Sequence, residues 1–111
     1  MNEINLDSIS KMWDTHLCNK FPPELEGEEI NGIDLVMLDA DIAGCVHSIL
    51  KKQPCAIPIW KCAVLGICFA EASMVCLKLS GESLHYFEYL KNMAQMALRY
   101  LIATDPMNKN S

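Results

Sequence analysis

The chain has 111 residues, the size of one domain, with 51% hydrophobic and 21% charged residues. That is enough apolar content for one hydrophobic core and excludes a disordered chain over most of the length. Its formal net charge is −5, with one arginine, Arg99. This is a poor grip for phosphate backbones, so nucleic acid is not an expected partner.

The first predicted element is a helix over about 6–20. Leu6, Ile9, Trp13 and Leu17 recur at helical spacing and draw one apolar stripe, and Asn5 or Asp7 can cap its start. "FPPELEGEEING" (21–32) then breaks the helical pattern. Glu24, Glu26, Glu28 and Glu29 put four carboxylates into six residues there. They are expected to form a mobile negative patch, either a solvated connector or an electrostatic contact for a basic partner.

A second helix is predicted over about 33–52. Asp34 in its first turn and Lys51-Lys52 in its last suit the helix dipole. Leu35, Leu38, Ile42, Cys45 and Ile49 form one stripe, and Val36, Ala43, Val46 and Leu50 the neighbouring one. Asp39 is the polar interruption of that second stripe. It reads as a boundary carboxylate capping a loop or meeting a Lys or Tyr hydroxyl, or as the polar group of a pocket. Asp41 points roughly 160° away from it, so the two carboxylates cannot act as a pair.

"QPCAIP" (53–58) is the next break, with Pro58 suited to the first position of a third helix over about 58–79. From Cys62 to Leu77 the one charged group is Glu71. Sixteen residues reach about 24 Å, short of the roughly 30 Å hydrocarbon layer, so a membrane span is not expected. A helix apolar on nearly every side is expected to be the most enclosed helix of a bundle. Glu71 falls on a line with Trp60, Val64, Ile67, Val75 and Lys78. It is read as part of a narrow outward strip with Lys78, as a carboxylate bonded to another helix, or as a buried carboxylate with a raised pKa. Ala63, Gly66, Ala70 and Ser73 on the other side would let a neighbouring helix approach closely. Trp13 and Trp60 are expected to anchor the core.

Ser80-Gly81 turns the chain into a fourth helix over about 82–104, followed by a frayed tail at 106–111. Its core stripe is Leu84, Phe87, Leu90, Ala94, Ala97, Leu98 and Leu101, opposite His85, Glu88, Asn92, Gln95 and Arg99. A second stripe, Tyr86, Tyr89, Met93, Met96 and Tyr100, either widens the core or presents a contact surface, as a homodimer seam or a docking strip. His85 and Glu88 are one turn apart, but in the order and number of a surface pair, not of a di-metal bundle.

Six cysteines are present without a C-x-x-C, and the N-terminal "MNEINLDSIS" lacks the pattern of a signal peptide. The cysteines are therefore expected to be reduced and structural, in a cytoplasmic protein. No glycine-rich phosphate loop, cofactor motif or metal-ligand spacing occurs.

These readings predict a single all-α domain, a four-helix antiparallel bundle with the third helix central. The expected function is that of a small non-catalytic binding or regulatory protein acting through protein contacts. A narrower version is an acidic, immunity-type neutraliser of a basic partner. The alternative is a small-molecule binder or minor enzyme with an inter-helix pocket built on Asp39 or Glu71.

Overall fold

A computed structural model describes residues 5–51 and 59–104. Four helices follow in chain order: α1 (Leu6–Cys18), α2 (Leu35–Lys51), α3 (Ile59–Cys76) and α4 (Gly81–Thr104). They pack against one another as an all-α bundle, with α4 touching α1, α2 and α3. At about 1.5 Å per residue, the 24-residue α4 accounts for most of the long axis of a 45 × 26 × 26 Å molecule. The expectations for Lys52, Cys55, Pro58 and the 106–111 tail fall outside the described residues.

The ends of α1 and α2 are fixed by side-chain caps. Ser8 N–H donates to Asn5 Oδ1 at 2.9 Å, so Asn5 caps α1, not Asp7. Met37 N–H donates to Asp34 Oδ1 at 3.0 Å, which makes Asp34 the residue before α2 and not a member of its first turn.

The 21–32 segment differs from the expected mobile loop. A short 3-10 helix (Pro23–Leu25) is followed by two strands, β1 (Glu29–Ile30) and β2 (Ile33–Asp34), paired antiparallel. Asn31 (φ 54°) and Gly32 (φ 78°) sit at the two central turn positions. Both need positive φ, the geometry that favours Asn-Gly in two-residue hairpins. Leu25 is buried and ties the segment to the core.

The core is built where helical periodicity places it. Leu35, Leu38, Ile42, Cys45 and Ile49 of α2 are all buried, as are Phe87, Leu90, Ala94, Ala97 and Leu101 of α4. The expected polar face of α4, from His85 to Arg99, is exposed throughout. On α3, Leu65, Cys68, Ala72 and Val75 are buried, and α3 packs on both α2 and α4.

Three expectations for α3 need correcting. The helix expected to be the most enclosed leaves one side open at Trp60, Ile67 and Met74, and Trp60 is 60% exposed instead of anchoring the core. Of the small residues, Ala63 and Ala70 are exposed and Ser73 is half-buried. Only Gly66 approaches α4 as expected, where a Cβ would lie 3.9 Å from Leu98. Among the described residues, no helix is long and apolar enough to cross a membrane.

Candidate functional site

Three polar side chains from three helices meet at one end of the core. His16 comes from α1, Asp39 from α2 and Tyr86 from α4. The Tyr86 hydroxyl donates to Asp39 Oδ2 at 2.7 Å, and His16 Nε2 lies 3.2 Å from Asp39 Oδ1. Each residue takes part in helix packing, so the fold itself converges them. His16 is 6% exposed and follows Ile9 by seven residues on the buried side of α1. Tyr86 is buried, edge-on to Phe21 and Phe87 at 5.5 and 5.4 Å.

The chemistry of the trio follows from its bonding. Burial, then the hydrogen bond to Asp39 and that carboxylate's charge, push the Tyr86 phenol well above its usual range. Tyr86 is therefore a fixed donor. Asp39 accepts from both neighbours, and its side chain keeps 18% exposure. Geometry assigns the Nε2 proton of His16 to the bond with Asp39. The other ring nitrogen, Nδ1, is sealed from solvent with no partner.

Over this trio lies a groove of about 630 Å³. Trp13, Leu17, Phe21, Val36, Ala40 and Ala43 give it apolar walls, and Glu26 and Asn19 stand at the same opening. Trp13 stacks on His47 at 5.8 Å, which steadies one wall. A second, more polar groove of about 780 Å³ lies between α4 and the 21–32 segment, with Glu24, Glu82 and Glu88 facing Lys20 and His85.

The Tyr/Met stripe of α4 mostly serves the core. Tyr86 and Met93 are buried, so they are withdrawn from any contact surface. Tyr89, Met96 and Tyr100 are half-buried, and Tyr89 donates its hydroxyl to Met12 O at 3.2 Å. The four loop glutamates are exposed. Glu24 is tied down, accepting from Ser83 Oγ at 2.6 Å, and that bond holds its carboxyl below the usual range. Glu71 is half-buried.

The face left open is on α3. Trp60 (60% exposed), Ile67 (60%) and Met74 (47%), with exposed Ala63 and Ala70 between them, form one line, and Leu77 (84%) follows in the turn just after the helix. The spacing within the helix, i, i+3, i+7, i+10, i+14, is that of a helix-pairing seam. The sequence marked part of this side through Glu71 and Lys78, but α3 is apolar nearly all round and nothing separated exposed Ala63, Ala70 and Met74 from the packed side. His16 is the site residue not singled out in the sequence; its seven-residue offset from buried Ile9 is the signal that places it on the inward side of α1. Among the described residues, no group of side chains is arranged to hold a metal. Comparison with family models, curated proteins and solved structures found no match.

Proposed function

We propose that this is a non-catalytic binding protein that works by protein–protein contact through the outer face of α3, covered by the same face of a second copy. The observation that carries this reading is the apolar line from Trp60 to Leu77. Single exposed apolar residues are ordinary, but five in one heptad-spaced line, continued by Leu77 in the following turn, are the pattern of an unpartnered seam. The alanines between the large residues permit close approach of a second helix. The line exposes on the order of 500 Å² per copy, so two copies would remove about 1,000 Å², the lower bound for a specific interface. Half-buried Glu71 and exposed Lys78 on its flank carry one charge of each sign, which suits a self-complementary contact.

Several features support the absence of catalysis. His16 has its second ring nitrogen sealed, Tyr86 holds its proton, and burial raises the thiols of Cys45, Cys68 and Cys76 away from reactive thiolates. Among the described residues, Cys18, Cys45, Cys68 and Cys76 are free thiols, which supports a reducing, cytoplasmic setting.

Salt separates this reading from that of an acidic neutraliser. Two copies each carrying −5 repel, so screening strengthens an apolar seam, whereas it loosens a complex with a basic partner. Sedimentation velocity is expected to show a monomer–dimer equilibrium that shifts toward dimer between about 50 and about 500 mM salt. A strict monomer at protein concentrations up to about 1 mM removes the proposal.

A further inference from the structure

We propose that the groove between α1, α2 and α4 binds a small molecule with an apolar aromatic body and a protonated amine. None of its described lining residues comes from α3, so this site is independent of the contact face. Its volume, about 630 Å³, lies within the range of small-ligand sites.

The walls set the body of the ligand. Leu17, Val36 and Ala40 offer aliphatic surface, and Trp13 and Phe21 offer aromatic faces. The floor sets its polar group. A carboxylate has about four lone-pair positions. Asp39 uses one on the Tyr86 hydroxyl and one on His16, and its 18% exposure leaves the remainder reachable. The reachable polar atoms of the floor are therefore the free lone pairs of Asp39, and its one hydroxyl donor is already committed. What it lacks is a donor, and an ammonium brings three.

Charge points the same way. Among the described lining residues are two carboxylates, Asp39 and Glu26, and no lysine or arginine. An ammonium at the floor meets an opposite charge at low exposure and aromatic rings on the walls, both of which favour a cation. A carboxylate ligand of the same shape meets like charge.

The test is calorimetric titration of the full chain with naphthylethylamine and, separately, with naphthylacetate at neutral pH. The amine is expected to bind roughly tenfold or more tightly than the acid. Asp39→Asn is expected to erase that preference. Should Asp39→Asn fail to fold, Ala40→Phe keeps the proposal testable: residue 40 is exposed, so a larger side chain fills the groove without entering the core. Ala40→Phe is expected to weaken amine binding roughly tenfold or more with the thermal transition unchanged. Equal binding of amine and acid, no binding of the amine, or amine binding that survives Ala40→Phe would overturn the proposal.

Discussion

Tyr86→Phe isolates the hydroxyl that holds the buried trio together. The ring contacts with Phe21 and Phe87 survive the change, so packing is nearly constant and the lost quantity is the 2.7 Å bond to Asp39. A hydrogen bond to a charged group contributes about 1.5–3 kcal/mol when well buried. Asp39 retains 18% side-chain exposure, so water replaces part of the bond, and the expected cost is about 1–2 kcal/mol. Asp39→Ala removes the acceptor of both Tyr86 and His16 and is expected to cost about 2–4 kcal/mol, because two buried donors lose their partner.

The double variant separates a real bond from mere proximity. With Asp39 already gone, removing the hydroxyl deletes an unsatisfied donor, so the two losses overlap by about 1–2 kcal/mol. Urea unfolding followed by circular dichroism resolves this, since a change of that size moves the midpoint by about 0.5–1 M at a typical slope. Additive losses, with a coupling under about 0.3 kcal/mol, would refute the claim that the three helices are pinned through Asp39.

Further expectations concern the thiols and the turn. In the native protein a thiol reagent at pH 8 is expected to modify exposed Cys18 first and spare Cys45 and Cys68; rapid loss of both buried thiols would contradict the packing. Burial pushes Cys68 up to about 11, above its ordinary 9.0. Its contribution to stability is therefore complete below about pH 9 and lost as pH rises toward 11, so an unfolding transition independent of alkaline pH would speak against it. The unfolded, unreduced chain is expected to titrate close to its full complement of six thiols. Gly32→Ala meets no atom within 4 Å but must hold φ at +78°, so it is expected to cost about 1–2 kcal/mol in the same urea assay. A neutral result there would mean the β1–β2 turn contributes nothing.

How much of this was legible in the sequence varied with the element. The inward stripe of α2 could be read residue by residue, because polar positions on its other face mark the outside. The same contrast oriented α4, although its Tyr/Met stripe could be assigned to core or surface only once α1 was seen to cover Tyr86 and Tyr89. The β1–β2 hairpin has its signal in Asn31-Gly32, but two-residue strands are too short to show an alternating pattern, so the segment reads only as a break between helices. On α3 periodicity carried less information: the outward line drawn through Glu71 and Lys78 includes exposed Trp60 and Ile67 but also buried Val75. Asp39 stood out as a charge on an apolar face. Its partners lie 23 and 47 residues away, and only the packing of α1 and α4 onto α2 brings them together.

The central claim, that the outer face of α3 is a contact surface between copies, is tested most directly by the fluorescence of Trp60. In a Trp13→Phe protein, Trp60 is the remaining tryptophan, and it stands 60% exposed at the head of the seam. Pairing would bury it, so its emission is expected to be blue-shifted in concentrated solution and to move to the red on dilution through the micromolar range. Ile67→Lys in the same background is expected to fix it at the red position at every concentration. Emission that is red and invariant without that lysine, from dilute to near-millimolar protein, would contradict the account.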